Sequence, residues 1–134
     1  MLLIFLQKCI EHTKTNPSYY EDLYTRLIVN LSYSLNKEKR YCEAEHLLLK
    51  CIHLMLENQS SYQLARCMCA AAHNIEAQLP SLPEEDRNMR EKDAFDLLEQ
   101  AYAMATISND HGGQQHIAIH CEKVYGKRST YGVQ

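Results

Sequence analysis

Leucine recurs every four residues at Leu23, Leu27, Leu31 and Leu35, with Ile28 beside the row and mostly polar residues between. A helix brings a side chain back to the same face every 3.6 residues, so the pattern predicts an amphipathic helix over 18–35. The polar run 36–40 ends it. Apolar residues then resume at helical spacing over 41–57, where Ala44, Leu47, Leu48, Cys51, Ile52 and Met55 share a face. After a loop at 58–61, in which Ser60 or Ser61 is a suitable N-cap, a helix is expected over 62–79. Pro80 and Pro83 stop it, and the charged stretch 84–90 reads as solvated or as an early beginning of the next helix. A fifth helix over 88–107 carries Ala94, Leu97, Leu98, Ala101 and Met104. The sixth, over 114–125, has Ile117, Ile119, Cys121 and Val124 as its apolar residues.

Ahead of these, 1–12 has the pattern of a helix already under way, broken at 13–17. Asn16, Pro17 and Ser18 form a start signal for the next helix, with Glu21 and Asp22 placed to complement its dipole. A chain that opens inside an apolar helix is the expectation for a fragment of a longer protein. The tail at 127–134 has too little apolar content to order itself. The expected architecture is therefore all-α, about six helices with short connections in antiparallel hairpins, as one domain over 1–126 and a tail over 127–134.

The hairpins repeat. Ser32 aligns with Ala72 at an offset of 40 residues, and Arg26 with Arg66 at the same offset. In the second helices Ala44, Leu48 and Cys51 align with Ala94, Leu98 and Ala101 at an offset of 50, the extra ten residues lying in 80–89. Small residues at fixed positions let two helices approach closely, and an insertion in a connection is the change a repeat tolerates best.

Composition narrows the class. The 134 residues are 46% hydrophobic and 23% charged, with only 4 Gly and 3 Pro, which favours helix over a turn-rich sheet. A net charge of −3 leaves no basic footprint for DNA. Leu2 to Leu6 is too short an apolar run for a signal or a span. The six cysteines fall mostly at apolar helical positions and read as reduced buried thiols of a cytoplasmic protein.

The order of small, aromatic and bulky residues from Ser32 through Tyr41, Ala44, Leu48 and Cys51 resembles a tetratricopeptide repeat. The wider segment YTRLIVNLSYSLNKEKRYCEAEHLLLKCIHLM, with DAFDLLEQAYAMATISND and HIAIHCEKVYG, is similar to the C-terminal repeat region of Gram-positive Xre-type helix-turn-helix regulators. These are related to peptide-pheromone receptors of the Rgg, PlcR and PrgX kind. The resemblance implies a superhelical stack whose first helices line a groove, and a peptide-sensing and dimerising domain of a transcriptional regulator. It would reach DNA only through an N-terminal domain absent from this chain. The alternative is an adaptor that docks a protein without regulatory output.

On that reading the groove-facing set is Arg26, Val29, Asn30, Tyr33 and Lys37 on one helix and Arg66, Cys69, His73 and Glu76 on the other. The peptide site is expected at Arg26, Asn30, Tyr33, Lys37, Arg66, Cys69 and His73. A carboxamide at Asn30 can donate to and accept from a peptide backbone, and the two arginines can hold a carboxylate. Taken singly, each arginine reads equally as a solvated charge, and Asn30 as an inter-helix hydrogen bond. His116 and His120, four apart beside Cys121 and near His111, have a spacing that can bind metal, but without a fixed third ligand they read as surface histidines. Cys67 and Cys69 diverge by about 200° on a helix, so with His73 they make a weaker set. No nucleophile elbow or phosphate loop is present. No metal, cofactor or catalytic activity is expected.

Overall fold

All six periodic segments are α-helices in the computed structural model, which describes residues 2–13 and 17–126. They are α1 (Leu2–Thr13), α2 (Pro17–Lys37), α3 (Tyr41–Glu57), α4 (Ser61–Gln78), α5 (Glu84–Ile107) and α6 (His111–Tyr125), with a 3-10 turn at Leu79–Ser81 between α4 and α5. No strand occurs among the described residues. The expectation for the tail lies outside them.

Three of the connections are one device used three times. Lys39, Gln59 and Asn109 each adopt a left-handed backbone, at φ 62, 54 and 57. The next residue's N–H turns back to the preceding helix: Arg40 to the Leu35 carbonyl at 2.8 Å, Ser60 to Met55 at 3.0 Å, Asp110 to Ala105 at 2.8 Å. This satisfies carbonyls left open at a helix end and reverses the chain within three residues, so the flanking helices run antiparallel. Asn109 suits the position, whereas Lys39 and Gln59 hold it at a strain of about 1–2 kcal/mol each. The reversal, rather than a serine cap, makes the α3–α4 corner: Ser60 precedes α4 but its hydroxyl makes no cap bond.

Helices pack mainly on their chain neighbours, and α2 also packs against α4. The repeat alignment reappears as burial. Ser32 and Ala72, Ala44 and Ala94, and Cys51 and Ala101 are all fully excluded from solvent, as nearly are Leu48 and Leu98. Small side chains at matching positions set the helix crossings, while Ile28, Met55, Leu98 and Ile117 fill the space between them. Each such residue contributes roughly 1.5–3 kcal/mol by leaving water.

Several expectations shift. The buried arc of α2 is Glu21, Tyr24, Thr25, Ile28, Ser32 and Leu35, and Leu23, Leu27 and Leu31 flank it half-buried. The reason is that α2 touches α1, α3 and α4, so the arc it covers is wide and centres on the small residues where backbones approach. Glu21 and Asp22 lie in the second turn of α2, too far in to serve its N-terminal dipole. α5 begins at Glu84, because Pro83 initiates a helix there and Glu84, Glu85 and Asp86 complement its first turn. On α6, Ile117 and Cys121 are buried one turn apart, Val124 is exposed in the last turn although it lies on their side, and Ile119 is exposed on the other side. Residues two apart on a helix cannot share a face.

A polar tie fastens α4 to the first hairpin. Asn74 is 1% exposed; its Nδ2 donates to Asn36 Oδ1 at 2.8 Å and to the Tyr41 carbonyl at 3.2 Å. Gln78 donates to Asn74 Oδ1 at 3.1 Å, completing the buried carboxamide.

Candidate functional site

The α2–α4 packing leaves the polar positions of both helices on a common face, and α6 extends that face through His120 and Tyr125. Two carboxylates organise it.

Asp22, on α2, sits at one end. It accepts hydrogen bonds from Arg26 on the next turn of the same helix, from Arg66 Nη1 on α4 at 2.9 Å and from Gln63 Nε2 at 3.4 Å. Arg66 Nη1 also donates to Gln63 Oε1 at 2.9 Å, and its guanidinium lies 5.8 Å from the Tyr62 ring centre. The Arg26 hydrogen bond holds the Asp22 carboxyl below the ordinary carboxylate range; partial burial opposes this, and Gln63 and Arg66 add to it. The two arginines aligned by the repeat thus meet on one acid of this chain.

Glu76, on α4, is the centre of the other end. His73 Nδ1, one turn back, lies 2.9 Å from Oε1, and His120 Nε2, from α6, lies 2.9 Å from Oε2 and 3.0 Å from Oε1. The Tyr125 hydroxyl also donates to Oε2. The His73 and His120 rings meet edge to face with centres 4.8 Å apart, Tyr33 adds its ring 6.0 Å from His73, and Phe95 backs Tyr125 at 5.5 Å. Burial pushes the Glu76 carboxyl up, but hydrogen bonds from His73, Tyr125 and His120 outweigh it and bring the pKa from 4.5 to about 2. Burial and the Glu76 charge push the Tyr125 hydroxyl up, and burial pushes Tyr33 up.

The remaining expected residues fall as follows. Arg26, Asn30, Tyr33 and Lys37 are exposed along α2, and Arg66, Cys69 and His73 are half-buried along α4. Among the described residues Asn30 and Lys37 have no side-chain partner, so Asn30 is not an inter-helix tie. Cys69 is no nucleophile, since burial and the nearby Cys121 and Glu76 push its thiol up to about 12. Cys51 and Cys67 are buried free thiols beside Thr25, with Cys51 Sγ 3.9 Å from its hydroxyl. Cys67 faces that core while Cys69, half-buried, leaves α4 in another direction, so the pair and His73 do not converge. The α6 histidines separate too: His116 is exposed, His111 bonds Gln114 at 3.1 Å, and only His120 turns inward. The grouping that does form is His73, Glu76 and His120, from two helices. The sequence held a partial signal for it in the three-residue spacing of His73 and Glu76, with no indication that α6 returns to them.

Other hollows lie elsewhere. One of about 560 Å³ runs between α1 and α3, lined by Ile10, Tyr24, Leu49 and Leu54 with His46 and His53 at its edge. Another of about 480 Å³ lies between α5 and α6 against Phe95 and Tyr125. No described helix is long and apolar enough to cross a membrane. No family model, curated protein or solved structure matches the chain.

Proposed function

We propose that the α2/α4/α6 face is the binding groove of a tetratricopeptide-type sensor domain and that its ligand is a short peptide. In this reading the domain belongs to a cytoplasmic bacterial transcription regulator of the peptide-receptor kind, and DNA is contacted by a separate domain of the parent protein. The observation that carries it is the row Arg26, Asn30, Tyr33 and Lys37. These four side chains stand on one helix outside its buried arc, and the Asn30 carboxamide is exposed and uncommitted. An uncommitted carboxamide between two cations and beside an aromatic ring suits an extended peptide with acidic side chains. Arg26 keeps more than half of its side chain in water although it pairs with Asp22, so it retains capacity for a ligand carboxylate. Arg66 is largely committed to Asp22 and Gln63 and acts by holding Arg26's partner in place.

The test is a random heptapeptide library screened against the intact chain, followed by calorimetry of the selected peptides. Asn30→Ala weakens their binding by about 5- to 150-fold, the equivalent of one to three kcal/mol for an unmet backbone group. Its thermal unfolding stays within about 0.5 kcal/mol of wild type because no folded-state contact is lost. Selected peptides that bind Asn30→Ala equally well, or a screen that selects none, overturn the assignment.

The same reading includes self-association, as palindromic operators require of such regulators. Ile4 and Phe5 on α1 are exposed, and Leu49 on α3 is exposed at the edge of the hollow between the two helices. A second copy that covers this apolar edge gives a dimer in light scattering at micromolar concentration. Phe5→Glu converts it to monomer, and a wild-type monomer at high micromolar concentration removes this part of the reading.

A further inference from the structure

We propose that His73, Glu76 and His120 form a binding site for a first-row divalent cation, zinc above all, which pins α6 to α4. The inference stands on geometry and donor chemistry and does not require peptide binding, although its three ligands lie on the face assigned to the peptide.

Three features carry it. The ligating atoms, two imidazole nitrogens and a carboxylate oxygen, all lie within 4.8 Å of one another. The three side chains are only 22%, 15% and 21% exposed, so their convergence is held by the fold and is not a chance meeting of long surface chains. The Glu76 charge, finally, faces no lysine or arginine among its hydrogen-bond and ion-pair partners, which are His73, His120 and Tyr125. Asp22 on the same face collects two arginines. A half-buried carboxylate attended by two imidazoles is a ligand set that a dication neutralises, and two histidines with one carboxylate is a recurrent zinc set with a fourth position left for water.

The distances fit with small side-chain rotations. With metal–ligand bonds of about 2.1 Å, ligand atoms on a tetrahedron stand about 3.4 Å apart. The two nitrogens lie 2.9 Å from the Glu76 oxygens and need to open slightly, while the gap between the nitrogens closes from no more than 4.8 Å. His73 and Glu76 are fixed relative to each other by one turn of α4, so most of the adjustment falls to His120. Each imidazole must give up the proton it now directs at Glu76 and carry it on its other nitrogen, or release it. The Tyr125 hydroxyl remains as an outer partner that orients the carboxylate. Pinning α6 in this way joins helices that otherwise meet chiefly through α5.

The experiment uses the untagged full chain, freed of metal with chelator. Zinc is titrated by calorimetry, and cobalt by the visible absorption that a tetrahedral nitrogen and oxygen site gives. One ion per chain is expected, with micromolar or tighter affinity. Thermal unfolding moves upward with zinc and returns when chelator is added. His120→Gln and Glu76→Gln each weaken binding about 100-fold or more and abolish the zinc-dependent shift. His116→Gln, on the same helix but exposed, leaves both unchanged. Circular dichroism shows whether each variant is folded, and His73→Gln substitutes for Glu76→Gln if the latter is not. Absence of saturable zinc or cobalt binding by the wild type overturns the proposal. So does wild-type affinity in folded His120→Gln, or loss of binding in His116→Gln.

Discussion

Asp22 and Glu76 stand on one face, and each takes hydrogen bonds from two helices, yet they are held in opposite ways. Asp22 is about a third exposed and is gripped by arginines, whose charge is permanent and whose long side chains remain in water. Glu76 is half that exposed and is gripped by two imidazoles and a phenol on shorter, more buried side chains. An exposed ion pair gains little, because water serves both partners almost as well. A half-buried carboxylate with three donors has much more to lose, since any donor or acceptor left behind is cut off from solvent. The Glu76 end should therefore carry stability and the Asp22 end chiefly charge.

The largest expected effect is at Glu76. Its pKa falls from 4.5 in the open chain to about 2 in the fold, so the ionised form favours the native state. That contribution is complete above pH 4.5 and is lost as pH falls toward 2, and it corresponds to about 3 kcal/mol. Glu76→Gln should lower the unfolding free energy at pH 7 by about 2–3 kcal/mol and flatten its decline between those two pH values. Urea unfolding across a pH series measures both. A variant with wild-type stability and an unchanged acid slope would erase the distinction between the two ends.

Tyr125→Phe isolates one of the three donors. The ring and its contact with Phe95 persist while the hydroxyl on Oε2 is removed, for a loss of about 1–2 kcal/mol. With one stabilising hydrogen bond gone, Glu76 titrates higher in the fold, so the acid-induced loss of stability still begins near the open-chain value of 4.5 but should be smaller and end at a higher pH than in the wild type. NMR titration of the Glu76 side-chain carbon reads this directly. An unmoved carboxylate would mean that the histidines alone hold it.

The scaffold was far more legible in the sequence than this face. Helix existence follows from 3.6-residue periodicity, and the repeat offsets identified the small residues that the fold buries completely, Ser32 with Ala72 and Ala44 with Ala94. Such positions are dictated by local backbone approach, which each hairpin satisfies on its own. Burial around α2 was less legible because it depends on three neighbours at once, and the leucine row, Leu35 apart, marks only the flank of the true interface. The polar centres depend on the relative placement of helices more than forty residues apart. The repeat paired Arg26 with Arg66, yet nothing in it said that Asp22 would take both. Nor did any spacing bring His120 and Tyr125 back to Glu76, because α6 has no equivalent with those residues in the earlier hairpins. The buried Asn74 went unread for the same reason, since its partners Asn36 and Tyr41 sit at a turn that only the α2–α4 packing brings within reach.

The smallest effect belongs to Asp22, and salt separates it from the rest. Arg26 and Arg66 together lower the Asp22 pKa, but the carboxylate and the Arg26 guanidinium are both over a third exposed, so water screens most of that gain. Asp22→Asn should cost less than about 1 kcal/mol at low ionic strength, the ordinary value of a surface pair. Raising salt to 1 M shortens the screening length from about 10 Å to about 3 Å and should bring the variant and the wild type together. The Glu76→Gln difference should survive the same treatment, since its donors are in direct contact and mostly shielded from ions. Chemical denaturation of the wild type and both variants at the two salt concentrations, with urea so that the denaturant itself carries no charge, makes the comparison in six curves. A loss at Asp22→Asn that persists in 1 M salt would show that Arg66 and Gln63 tie α2 to α4 through hydrogen bonds rather than charge. The two ends of the face would then be the same device built from different residues.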